Sequence, residues 1–135
     1  MIIYTDENFP PDVAEGMAIF QRGDITESVE VRHVKTHFYE GIEDTDWLPV
    51  AGKEKTTVVT QDRNIRRTQA EWEICRHYEM VVVFIKPPSK AGLRYWQMVE
   101  LIVKHWQEIK NCGRKQRPAA YRITLKSRHP ELLPG

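Results

Sequence analysis

Five short β-prone runs separated by helically periodic segments limit this chain's fold more than any other feature. The runs are residues 2–5, 29–34, 56–60, 81–85 and 121–125. Strands alternating with helices build a mostly parallel α/β sheet with right-handed crossovers. The run 81–85 is apolar at every position (Val-Val-Val-Phe-Ile), as a strand covered on both faces must be, whereas 29–34 alternates apolar with polar like a half-buried one.

Between the runs, the sequence predicts four helices. Pro10-Pro11 starts the first, in which Val13, Met17 and Phe20 share one face before Gly23 ends it. A short one runs from Asp44 toward Lys53, and a third places Ala70, Ile74 and Tyr78 on one face. The longest spans about 92–112, with Trp96, Val99, Val103 and Trp106 on one stripe, Met98, Ile102 and Ile109 on another, and Gly113 as its C-terminal cap. A helix apolar on two faces is central or lies at an interface.

Length sets one domain. At 135 residues and 41% apolar content the chain buries enough surface to fold without a disulfide or structural metal, and seven Gly with eight Pro exclude collagen-like or disordered chains. Cys75 and Cys112 have no companion at metal-ligand spacing and read as reduced and buried. The longest apolar run, from Met80 to Ile85, is far short of a membrane span, and the start of the chain does not read as a secretory leader, so a soluble, cytoplasmic protein is expected. A net charge of +1 conceals two unlike halves: residues 1–54 sum to −8 and residues 55–135 to +9. The first can gather cations and the second phosphates or an acidic partner.

In a parallel sheet, ligands bind beyond the carboxyl ends of the strands. There the first run is followed by Asp6-Glu7, the third by Asp62, and Asp44 and Asp46 open the helix leading into the third. Each acid alone is equally a turn former or a helix cap. Three segments delivering carboxylates to one edge repel one another unless a cation neutralises them, and a hard, oxygen-liganded ion such as Mg2+ or Mn2+ suits that role.

Three motifs in order carry a family resemblance: Ile3-Tyr4-Thr5-Asp6-Glu7-Asn8-Phe9-Pro10-Pro11, Gly41-Ile42-Glu43-Asp44-Thr45-Asp46-Trp47-Leu48 and Val58-Val59-Thr60-Gln61-Asp62-Arg63-Asn64-Ile65-Arg66-Arg67. Over residues 1–110 the chain resembles the PIN-like nucleases of VapC-type toxin–antitoxin systems, and more narrowly the compact branch that opens with Asp-Glu-Asn. The resemblance implies a single-domain, three-layer α/β/α fold with a mostly parallel sheet of four to five strands. Beyond the resemblance, residues 111–135 read as a basic extension packed on or trailing from that domain, with Arg114, Lys115, Arg117, Arg122, Lys126 and Arg128 and no acid before Glu131. The implied activity is a Mg2+- or Mn2+-dependent endoribonuclease, a toxin with a cognate antitoxin and RNA as substrate. Asp6, Asp44 and Asp62 map onto the metal ligands, with Glu7 and Asp46 as adjacent catalytic acids. Asn8 and Thr60 would orient ligands or waters, and Arg63, Arg66 and Arg67 would hold substrate phosphate. Where the larger family often has a fourth acid, this chain has Lys86-Pro87-Pro88.

Competing readings are a non-catalytic PIN-like module that binds RNA or protein, and a response-regulator receiver domain. The receiver has similar acids and a Lys-Pro pair, but only 24 positions separate Asp62 from Lys86, room for one helix and one strand where it needs two of each. His33 and His37 read as residues of one strand, too far apart to share an ion. Trp72, Trp96 and Trp106 read as core, and Tyr121 as a lone aromatic available for stacking in a basic tail. The apolar longest helix offers a surface for an antitoxin or a homodimer. No phosphate-cradling glycine loop is present.

Overall fold

The computed structural model describes residues 1–61 and 69–134. In chain order the elements are β1 (Ile2–Thr5), α1 (Pro11–Arg22), β2 (Glu30–His33), α2 (Val34–His37), α3 (Asp44–Lys53), β3 (Thr57–Thr60), α4 (Gln69–His77), β4 (Val81–Ile85), α5 (Tyr95–Arg114), β5 (Ala119–Ile123) and β6 (Glu131–Leu132). They build one sheet of order β2-β1-β3-β4-β5-β6, parallel throughout except for β6, which runs antiparallel to β5. Among the described residues the sheet has six strands rather than four or five. Residues beyond 110 are part of it: β5 pairs with all of β4, from Val81 opposite Ala119 to Ile85 opposite Ile123.

Two apolar layers cover the sheet, and strand pleating assigns residues to them alternately. Ile3, Val59, Val81, Val83 and Ile85 pack with Val13 and Met17 of α1 and Leu101, Ile102 and Ile109 of α5. Tyr4, Val58, Val82 and Phe84 pack on the other face with Trp47, Leu48 and Ala51 of α3 and Cys75 of α4. β3 and β4 are buried at every position, which is why their sequences are uniformly apolar or Thr. Both cysteines are buried and free, and burial pushes the Cys75 thiol up to about 12 and the Cys112 thiol to about 11.

Some expectations require correction. Pro11 does occupy the first turn of α1 and Gly23 its C-terminal cap, but Phe20 is 69% exposed, because the buried stripe runs through Val13, Ala14, Met17 and Gln21. Ala70 lies exposed on α4. α5 buries Leu101, Ile102, His105, Ile109 and Cys112, leaving Trp96 74% and Val103 51% exposed, so the helix has one buried face and not two. Gly113 is inside α5, where it lets the helix approach Thr57 of β3, and Lys115 is the cap. Tyr121 is 6% exposed within β5, so it offers no stacking face.

Much of the positive tail is consumed internally. Lys110 is 3% exposed and pairs with Glu27, Arg114 pairs with the other oxygen of Glu27 at 2.6 Å, and Arg122 pairs with Glu131 at 2.7 Å. Arg117 donates to the carbonyls of Gly113, Lys55 and Glu79. Among the described residues no helix is long and apolar enough to cross a membrane.

Candidate active site

Strand order reverses direction at β1: the chain moves to β2 on one side and returns to β3 on the other. The carboxyl ends of β1 and β3 therefore flank the crevice where a doubly wound sheet opens to a ligand. Asp6 is the first residue past β1 and Thr60 the last of β3.

Asp6 is 3% exposed and held by its neighbours. Thr60 Oγ1 donates to Asp6 Oδ2, the Asn8 backbone N–H donates to Oδ1 at 3.1 Å, and Asn8 Nδ2 donates to Oδ2 at 3.4 Å. The Asp6 N–H meets the Val59 carbonyl at 3.4 Å, carrying the β1–β3 pairing one step further. Gln61 Nε2 closes the arrangement on the Asn8 carbonyl at 2.9 Å. Hydrogen bonds of this kind fix a carboxylate's rotamer. Glu7 is half-buried beside Asp6, and Asn8 is exposed beyond its two contacts with Asp6.

α3 descends from the same edge, since it leads into parallel strand β3. Its first residue is Asp44, whose Oδ1 accepts from Trp47 Nε1 at 2.9 Å, while Trp47 itself is fully buried against Tyr4. Asp44 is thus half-buried and tied to the core, whereas Asp46, in the same first turn, is exposed. Asp62, Arg63, Arg66 and Arg67 lie outside the described residues. Among the described residues, no three His, Cys, Asp or Glu side chains come together as a metal site. The oxygens of Asp6 and Asp44 are the hard donors Mg2+ or Mn2+ prefers, and such an ion takes one or two carboxylates and retains water on its remaining positions. The donor set fits the ion.

Two contributors to this edge escape sequence reading. His33 ends β2 opposite Thr5, is 3% exposed, and places Nε2 at 2.7 Å from the Phe9 carbonyl while Nδ1 accepts from the Lys35 N–H. That pattern fixes the neutral tautomer with the proton on Nε2, and burial holds the imidazole below its usual titration range. The ring braces the segment that carries Asp6, Glu7 and Asn8. His37 lies on the short helix α2 and not on a strand, because the chain turns immediately after His33. Gln61 is the second contributor, its amide fixed by Asn8 and by the Met98 sulfur at 3.7 Å.

Fold and edge together define a doubly wound α/β domain with a buried, hydrogen-bonded carboxylate, Asp6, at its switch point. The chain belongs to the PIN-like family: the family described as PIN like domain matches residues 1–87, which include β1 to β4, Asp6 and Asp44. Domains of this family are typically nucleases, hydrolases acting on nucleic acid. Comparison with curated proteins and with solved structures returns no match.

Proposed function

We propose that this protein is a Mg2+- or Mn2+-dependent endoribonuclease. The observation that carries the reading is the buried Asp6, oriented by Thr60 and Asn8 at the switch point of a PIN-like sheet. In this reading Asp6, Asp44 and Asp62 hold the ion. When bound, a divalent ion there supplies Lewis acidity to a phosphodiester and lowers the proton affinity of water. Thr60 and Asn8 keep the Asp6 carboxylate aimed. Glu7 or Asp46 takes the proton from the attacking water, and Arg63, Arg66 and Arg67 grip the substrate phosphates.

The test is RNA cleavage in Mn2+ by Asp6→Asn and Asp62→Asn, which keep side-chain volume while removing the charge. Loss of cleavage in both, with circular dichroism unchanged, supports the assignment. Cleavage at the parent rate in both overturns it.

The biological role we infer is that of a toxin paired with an antitoxin, with expression of the parent arresting growth and Asp6→Asn relieving the arrest. Exposed Ile19, Phe20, Ile25 and Val103 supply apolar surface for an antitoxin or a second copy, and light scattering after size exclusion measures the latter.

One observation favours a second reading, a non-catalytic RNA-binding module. β4 is followed by exposed Lys86 instead of an acid. That module would bind RNA with an affinity that falls with salt and ignores EDTA.

A further inference from the structure

We propose that the β4–α5 connection and the first turn of α5 form a binding subsite for the single-stranded RNA flanking the scissile bond, with Trp96 as its base-stacking platform. The inference rests on the nuclease reading of the neighbouring acidic site. A cleft of about 490 Å3 opens directly beside that site, lined by Asn8 and Gln61 on one wall and by Pro87, Lys90, Gly92 and Met98 on the other. Asn8 and Gln61 are the residues that link the cleft to Asp6. Gly92, at φ +84°, turns the connection so that its backbone faces the Gln61 amide oxygen, 3.8 Å from where a Cβ would stand. A second cleft of about 430 Å3 shares Ala91, Gly92 and Leu93 with the first and continues to Arg94 and Gln97.

Charge and aromatic surface on this connection match an unpaired strand. Between Glu79 and Glu100 the chain has Lys86, Lys90 and Arg94 and no acid. All three cations are exposed, and among the described residues none of them forms an ion pair. In the C-terminal segment Lys110, Arg114 and Arg122 already have carboxylate partners, while Lys115, Lys126 and Arg128 are exposed but line neither cleft. Immediately after Arg94, Tyr95 and Trp96 stand 41% and 74% exposed, with ring centroids 5.4 Å apart and planes at 88°. Trp96 thus stays largely exposed beside a T-shaped aromatic neighbour, and exposed indole surface of this kind is what a base stacks on. A duplex keeps its bases stacked on one another and cannot use such a platform.

The test measures binding apart from cleavage. A fluorescein-labelled twelve-nucleotide unstructured RNA is titrated in EDTA, by anisotropy, with the full chain carrying Asp6→Asn alone or combined with Trp96→Ala, Trp96→Phe or Lys90→Ala. The expectation is a loss of about tenfold in affinity for Trp96→Ala, retention within about twofold for Trp96→Phe, and a shallower salt dependence for Lys90→Ala. Duplex RNA of the same length binds Asp6→Asn and Asp6→Asn/Trp96→Ala alike. Equal affinity of the single strand for the Trp96→Ala and Trp96 proteins overturns the subsite. So does a change of oligomeric state in Trp96→Ala with RNA affinity unaltered, which makes the indole a protein contact. Neither result bears on whether Asp6 is needed for cleavage, which the Mn2+ assay reads separately.

Discussion

Single side chains at the carboxyl ends of β1 and β3 are held by specific partners. Thr60 donates to Asp6 from the neighbouring strand, so Thr60→Val removes that bond at nearly constant volume. Partners that orient a metal ligand are worth about 10–100-fold in activity or metal affinity, and a loss of that size in Mn2+-supported cleavage is expected with little change in fold. His33 makes a pH prediction. Its folded titration lies below the ordinary value near 6.5 because burial disfavours the imidazolium, so below that pH the unfolded chain binds the proton more readily. Stability is therefore complete above about 6.5 and declines as pH falls through the lower folded value. Urea midpoints measured from pH 7 to 5 fall less steeply for His33→Gln, which cannot titrate, and His105, shifted in the same direction by burial, retains its share. The positions of Asp6 just past β1 and of Thr60 at the end of β3 were legible in sequence because the β-prone runs stop there. His33 was not, since its partner is a backbone carbonyl 24 positions away and no local pattern encodes that meeting.

At the element scale, packing between helices decides what substitutions cost. A Cβ on Gly52 of α3 would stand 2.6 Å from Cβ and Cγ of Tyr78, the residue just beyond α4. Ala ordinarily favours a helix over Gly, but here the overlap dominates. Gly52→Ala is expected to lose about 1–3 kcal/mol, read as a lower urea midpoint. α1 and α5 are joined differently. Gln21 accepts from Trp106 Nε1 at 2.8 Å and from Lys110 Nζ at 3.2 Å, while Lys110 and Arg114 together hold Glu27. Those two cations, Lys110 foremost, pull the Glu27 carboxyl down to about 2 from 4.5. A depressed carboxylate stabilises the fold above its unfolded titration point, and the contribution is lost as pH falls from about 4.5 toward 2. Glu27→Gln should flatten the acid limb of the stability profile in that window and lower the urea midpoint at pH 7, where it leaves buried Lys110 without a carboxylate. β1 to β4 were readable as β-prone runs and β5 nearly so, lying at Ala119–Ile123 and not 121–125, while the two-residue β6 has no such run. The starts of α1 and α3 were readable from Pro10-Pro11 and Asp44-Thr45-Asp46. The face of α5 was misjudged because Trp96 and Val103 satisfy helical periodicity as well as Ile102 and Ile109 do, and only the sheet beneath decides which stripe is covered.

At the scale of the whole molecule, topology turns an uneven charge sequence into a working edge. Parallel strands point every β-to-α connection the same way, so Asp6 after β1 and Asp44 ahead of β3 reach one rim although 38 positions part them. The cationic β4–α5 connection meets the same rim at Asn8 and Gln61. The α/β class was legible because it follows from strand alternation. The destiny of the basic half was not: total charge cannot distinguish Lys110, buried on Glu27, from Lys90, exposed beside a cleft. The central claim is that Asp6 helps hold a divalent ion at that rim, and a Mn2+ titration followed by electron paramagnetic resonance reads it most directly. The account predicts that the parent removes Mn2+ from the free-ion signal and that Asp6→Asn, folded as judged by circular dichroism, does so at least tenfold more weakly. Equal uptake by the two proteins would contradict it.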